Sequence, residues 1–272
     1  MAQNKSFLEK HHFLLRRLHS LAGVVPIGVF LLFHLTTNAS IVWGAINKGK
    51  FEGVHPGAAT FQHEVGFIHS LPALILIEIF GLWLPIAFHS VLGVYYATTG
   101  KNNVAHYKYQ GNWRYTLQRI SGYIGVLFIF YHVATLRWHW TFLVPGGTKW
   151  SGEWAASTLA AAIQGSESGF TAMGVVVALF YMLGVSLLVF HLANGLWTAA
   201  ITWGLTISEQ AQKRWGYVCA AAGVGLMALA WSAVIGFATL DYEEARLAEE
   251  RVRHGEVTIV TESQRADAGE RE

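Results

Sequence analysis

The stretch SGFTAMGVVVALFYMLGVSLLVFHLANGLWTAAITWGLTIS, residues 168–208, carries no formal charge along its whole length. A bilayer needs roughly 20 predominantly apolar residues in a spanning helix. This segment therefore predicts a membrane crossing whose ends protrude or whose axis tilts. Its apolar residues run on without period-two alternation, which argues for a helix and against a barrel strand. One histidine, His191, lies well inside it.

Four further runs read the same way. Leu18–Ile46 and Trp215–Leu240 carry no charge; Val65–Gly100 carries only Glu78, and Ile120–Thr148 only Arg137. The expected fold is all-α, a transmembrane five-helix bundle over residues 1–240. Composition agrees: the chain is 53% hydrophobic and 13% charged, against about 25% charged in a soluble domain. Those figures exclude a soluble globule, a disordered chain and a basic nucleic-acid-binding surface. Cys219 is the single cysteine, so neither an internal disulfide nor a cysteine metal site is available. The first run follows Lys10, Arg16 and Arg17 but is too long for a signal-peptide core, and it is read as a retained span.

Five spans put the termini on opposite faces. Lys and Arg number four in 1–20, four in 101–119 and two in 209–214, but only two in 47–64 and two in 137–167. The bias predicts a cytoplasmic N-terminus and an extracytoplasmic C-terminus. The segment 241–272 holds five Arg and ten Asp or Glu. It is read as a solvated tail that begins as a charged helix, with Glu249 and Arg253 an i,i+4 pair, and then becomes Ser-, Gly- and Glu-rich.

His34, His89, His132 and His191 each lie inside a different apolar run. Ionisable groups in lipid are costly and mark function. A single one reads equally well as a core histidine bonded to a neighbour; four on four helices do not. His34 precedes Asn47 by 13 residues and His132 precedes Pro145 by 13; His89 follows His69 by 20 and His191 follows Thr171 by 20. At 1.5 Å per residue the first pair lies about 20 Å, and the second about 30 Å, from the outer markers. The four sort into His34 with His132 and His89 with His191. Two imidazoles facing across a bundle are the usual protein ligands of a b-type haem, and with both axial sites filled they favour electron transfer over oxygen chemistry. A Zn or Cu site would be short of ligands, with at most Glu78 to add.

RRLHSLAGVVPIGVFLLFHL (16–35), WLPIAFHSVLGVYYATTGKNN (83–103), LQRISGYIGVLFIFYHVATLR (117–137) and VFHLANGLWTAAITWGLT (189–206) together resemble the diheme cytochrome b membrane anchor of succinate:quinone oxidoreductases. The likeness is to the single-subunit, five-helix type of Gram-positive bacteria and covers roughly residues 6–240. It implies that His34 and His132 ligate the distal haem iron and His89 and His191 the proximal one. It implies a cell-membrane (bacterial inner-membrane) subunit beside a flavoprotein and an iron–sulfur partner. Electrons from succinate would pass through two b haems to a quinone, usually menaquinone. Succinate would be oxidised on the partners, since nothing here resembles a dicarboxylate or flavin site. Related fumarate reductases run in reverse. Some of them place a Glu two residues before the fourth ligand; here that position is Val189, and that proton path is not carried over. The charged tail also exceeds the family pattern.

Glu78, the lone carboxylate inside a run, reads either as a proton-exchanging group beside a quinone or as a neutral acid bonded to its helix. Arg137 reads as a haem-propionate partner or an interfacial anchor. Arg17, His19, Ser20, Arg119 and Ser121 cluster at the cytoplasmic edge as propionate or docking contacts, although positive-inside bias also explains the arginines. Asn194 and Trp197, three and six residues after His191, read as flanks of a haem or as packing against a neighbouring helix. Gly23, Gly28, Gly93, Gly122, Gly125, Gly184 and Gly195 are positions where helices or a flat macrocycle approach closely. The rival functions are a diheme cytochrome of another quinone-linked dehydrogenase and a non-haem transporter with a histidine proton relay.

Overall fold

The computed structural model describes residues 6–51, 53–100, 105–106 and 110–255. Among them there is no strand. The chain runs α1 (Phe7–Lys10), α2 (His12–Ala22), α3 (Gly28–Trp43), α4 (Pro56–Ser70), α5 (Leu74–Leu76), α6 (Leu84–Thr99), α7 (Gln110–Leu136), α8 (Ala155–Gln164), α9 (Ala172–Thr202), α10 (Glu209–Thr239) and α11 (Tyr242–Arg253). Five helical stretches are long and apolar enough to cross a membrane: His12–Asn47, Leu74–Thr99, Gly111–Leu136, Ala172–Thr202 and Glu209–Thr239. Five spans were expected; their ends differ from those drawn by hydropathy.

Backbone chemistry explains the differences. The run from Val65 to Gly100 is broken at Pro72. The residue before a proline is driven from helical to extended backbone, and Leu71 takes φ −62°, ψ 130°. Ala73 then adopts a left-handed φ of 55°, and the spanning helix starts afresh at Leu74. The third run stops at Leu136, because His139 turns left-handed at φ 57° while the Trp138 and Trp140 N–H groups donate back to the Val133 and Ala134 carbonyls. Two π-helical turns, Gly23–Ile27 around Pro26 and Ile77–Trp83 just before Pro85, join α2 to α3 and α5 to α6. A proline has no N–H for the usual i−4 carbonyl, and a widened turn absorbs the missing bond.

The chain divides into two compact units: residues 1–34, 73–130 and 183–228 form the first, and residues 35–72, 131–182 and 229–272 the second. The first holds α2, α6, most of α7 and the second half of α9.

The second unit has a dense core of Ile41, Phe51, Phe61, Val65, Leu159, Ile163, Phe237 and Leu240, filled in by alanines of α4, α8 and α11. Phe61 meets Phe237 edge to face at 4.9 Å. Small residues let backbones touch: a Cβ on Gly57 would strike the Ile41 carbonyl. Buried α8 has both ends bonded. Gln62 accepts from the Ala155 N–H (2.9 Å) and donates to the Gly152 carbonyl (3.0 Å). Gln164 donates to the Phe237 and Leu240 carbonyls at the end of α10.

Residues 241–255 are not the solvated appendage expected from their charge. Asp241 caps α11 by accepting from the Glu244 N–H (3.0 Å). Glu243 and Glu244 in the first turn and Arg251 and Arg253 in the last complement the helix dipole. Ala245, Ala248 and Glu249 face inward against α4 and α8. The Glu249 carboxylate, 0% exposed, accepts from the Ala156 N–H (2.6 Å), the Ser157 N–H (2.9 Å) and the Ser157 hydroxyl (2.6 Å). Burial raises its carboxyl above the ordinary range, opposed by those three donors and by Arg246. Arg246 and Arg253 lie over the Trp154 ring at 3.4 and 4.4 Å. Residues 256–272 of the expected tail lie outside the described residues.

Candidate functional site

His89 of α6 and His191 of α9 meet inside the first unit. Their ring centroids are 6.1 Å apart and their planes 83° apart. His89 Nδ1 lies 2.9 Å from the His19 carbonyl, and His191 Nδ1 lies 3.0 Å from the Gln118 carbonyl. A carbonyl only accepts, so both Nδ1 atoms carry the proton and donate. Each ring's lone pair is thereby placed on Nε2, which is how a metal-binding imidazole is set up by its outer partner.

Glycines seat both rings. A Cβ on Gly23 would run into the His89 imidazole, and one on Gly122 would come within 3.1 Å of His191 Cε1. These two are among the seven glycines singled out as points of close approach. Gly125 and Gly184 serve α7–α9 packing instead, against Leu188 and Phe128.

The His191 side is braced by residues that the sequence reading passed over. Gln118 supplies the carbonyl for Nδ1 and also donates from Nε2 to the His191 carbonyl (3.1 Å). Asn194 donates to Gln118 Oε1 (2.8 Å) and accepts from Arg114 Nε (2.8 Å). Arg114 also covers the Trp197 ring at 3.8 Å. Asn194 and Trp197 thus sit in a bracing network. Gln118 and Arg114 lie four residues apart on α7, one face opposite His191 and Asn194. That spacing was the available signal.

The expected propionate contacts separate. Ser121 is 0% exposed; its hydroxyl donates to the Gln118 carbonyl and lies 3.1 Å from His191 Nδ1. It serves the imidazole. Arg119 donates to the Gly100 carbonyl (2.8 Å). Arg17 packs over Phe13 at 4.3 Å and Trp203 at 5.5 Å. His19 stacks on His89 at 4.0 Å and meets Tyr96 edge-on at 5.7 Å. Arg17 Nε, His19 Nδ1 and Tyr96 Oη are buried without a hydrogen-bond partner among the described residues. Ser20 is half-buried in α2, beside His19. Tyr96 was not anticipated.

His34 belongs to the first unit, stacked on Phe30 at 5.3 Å. His132 belongs to the second, with the Tyr181 hydroxyl 3.4 Å from its Nδ1. Because α7 ends at Leu136, His132 is four residues from the helix end. The 13 residues to Pro145 do not rise as a helix, and that depth estimate does not hold. His89 stands 15 residues after Leu74, about 22 Å of helical rise. Glu78 lies four residues inside the spanning helix, half-buried in a π turn. Arg137 is exposed just past the end of α7.

The donor set fits a haem. Among the described residues no group of three or more His, Cys, Asp or Glu gathers to hold a metal ion. Two opposed imidazoles suit an iron whose other positions a macrocycle fills. Imidazole nitrogens bind such ions at about 2 Å. Two rings on opposite sides of one ion then have centres about 6 Å apart, which matches the His89–His191 separation.

No family model matches the chain, and no solved structure matches it. It is 35% identical over 230 residues to the succinate dehydrogenase cytochrome b558 subunit of Bacillus subtilis (strain 168), an alignment covering 83% of this chain and 96% of that protein. Five apolar helices, a pair of imidazoles whose Nδ1 atoms are held by backbone carbonyls, and this likeness lead to one conclusion: the chain is a multi-pass membrane protein of the succinate dehydrogenase cytochrome b family.

Proposed function

We propose that this chain anchors a succinate dehydrogenase to the bacterial membrane and carries electrons from an iron–sulfur partner subunit through two b haems to a quinone, menaquinone by the family's habit. A flavoprotein partner oxidises succinate. The observation that carries the reading is the His89–His191 pair, 6.1 Å apart, with both Nδ1 atoms committed to backbone carbonyls. These two imidazoles hold the proximal haem, and His34 with His132 hold the distal one. When bound, the haems supply one-electron carriers that cross lipid without a mobile reductant.

The chain's own residues do the rest. The His19 and Gln118 carbonyls orient the proximal ligands and raise their basicity. The Arg114–Asn194–Gln118 network holds the α7 carbonyl in register. Arg17, His19 and Ser20, with Tyr96 beside them, offer buried donors to haem propionates, because a carboxylate away from water needs such partners. Arg119 and Arg137 stand as further propionate contacts at the two ends. Glu78 exchanges a proton with the quinone. The N-terminus faces the cytoplasm, the partners dock there, and the C-terminus faces outward.

The test is purification of the complex followed by a reduced-minus-oxidised visible spectrum and a haem assay. Two noncovalent b haems per chain, reduced by succinate and co-purifying with a flavoprotein and an iron–sulfur protein, is the expected result. Absence of a b-type spectrum, or different partners, defeats the proposal.

A further inference from the structure

His132 and Tyr181 both belong to the second unit. Their rings meet edge to face with centroids 5.9 Å apart, and Tyr181 Oη lies 3.4 Å from His132 Nδ1. Tyr181 is 8% exposed and comes from α9, a different helix from His132. Its ring is walled by Tyr131, 6.3 Å away. Thr135, 2% exposed, lies one turn beyond His132. The Thr135 hydroxyl donates to the Tyr131 carbonyl at 2.8 Å.

A ligating imidazole presents one ring nitrogen to iron and keeps its proton on the other. With the proton on Nδ1, the Tyr181 hydroxyl oxygen accepts from His132 Nδ1–H at 3.4 Å, and the His132 lone pair is left on Nε2. In the first unit the same task falls to backbone carbonyls at 2.9 and 3.0 Å. Here a hydroxyl does it at longer range. Acceptance from Nδ1–H makes an imidazole a stronger electron donor to iron, and hydrogen bonding around the axial ligand is one of the means by which a protein sets haem potential.

We propose that Tyr181 is the positioning residue of His132: its hydroxyl fixes the ring's tautomer and orientation, and it lowers the midpoint potential of the haem that His132 holds. The inference rests on the reading of His132 as a haem ligand.

The test is Tyr181→Phe in the complete membrane complex, read by haem content, redox titration and low-spin EPR, whose signal follows the orientation of the ligand planes. Two haems should remain. The midpoint potential of one should rise and its EPR signal move, while the other haem is unchanged. Unchanged potentials and signals, or an equal shift of both haems, overturns the proposal. If Tyr181→Phe loses a haem, 3,5-difluorotyrosine incorporated at position 181 decides, since it keeps the ring and withdraws electron density from the accepting hydroxyl oxygen. A smaller rise at the haem that His132→Ala removes supports the proposal, and no shift overturns it. His132→Ala also separates the two failures. Retention of both haems in that variant overturns the ligand reading and the inference with it. Loss of one haem there, with unchanged potentials in Tyr181→Phe, overturns the inference alone.

Discussion

The two units solve the problem of a buried polar group in opposite ways. In the first, the polar atoms serve imidazoles: backbone carbonyls of His19 and Gln118 hold the rings, and glycines at 23 and 122 make room for them. In the second, they serve the backbone: Glu249, Gln62 and Gln164 bind the ends of helices whose faces are alanine and phenylalanine. The buried apolar cluster lies in the second unit alone. The first unit seats two imidazoles on small residues and carbonyls, and the second ties loops and a charged helix to a close-packed core. The difference teaches that a ring needs space left for it beside an acceptor, while a helix end needs only an acceptor or donor at its terminus.

The largest expected effect breaks the comparison outright. His89→Ala and His191→Ala should each abolish the same b haem, and His34→Ala and His132→Ala the other, read as visible spectra of the purified complex. Loss that pairs His34 with His89 would mean that the first unit does not hold a self-contained ligand pair. Gly23→Ala tests the seat rather than the ligand. Its methyl must displace the His89 ring, and occupancy of that haem should fall by several-fold. Gly225→Ala, whose Cβ meets nothing within 4 Å, should leave the haem as it is. Equal behaviour of the two variants would remove the argument from close approach.

Glu78 belongs to the first unit, 11 residues before His89 in the same spanning stretch. Glu78→Gln should retain both haems and electron delivery from succinate to an artificial acceptor. It should slow succinate-to-quinone turnover by roughly 10²-fold, the low end for one acid–base group. Normal quinone turnover would make Glu78 structural, which its place one turn inside the helix end would then explain.

The smallest effect concerns the second unit. Glu249→Ala leaves two backbone N–H groups and a hydroxyl without their acceptor, a cost of about 1–3 kcal/mol. It should make α11 accessible to protease while both haems stay. The pH dependence has a definite sign. Burial raises the carboxyl in the folded state, so its contribution to docking is complete below the ordinary carboxylate range and is lost as pH rises through the raised value. Proteolysis of α11 should therefore quicken across that interval in the parent chain and stay level in Glu249→Gln. A parent chain whose α11 loosens on acidification would reverse the assignment.

Five spans and the four histidines within them were legible from residues alone, because uncharged length and an ionisable group in lipid are local properties of a segment. The pairing of His89 with His191 was anticipated from distance along the chain, and the structure brings those two rings together. Span ends were less legible. Pro72 and the left-handed His139 stop helices in the middle of apolar sequence, where hydropathy has nothing to register. Charge misled at α11: a run of Glu and Arg reads as solvated, yet Glu249 finds three donors on α8, some 92 residues earlier. Gln118 and Arg114 carried no mark beyond their four-residue spacing, and Tyr181 carried none, since each acquires its role from a residue on another helix. The tertiary structure alone decided those partnerships, because a hydrogen bond depends on where two distant stretches meet, and no single stretch records that.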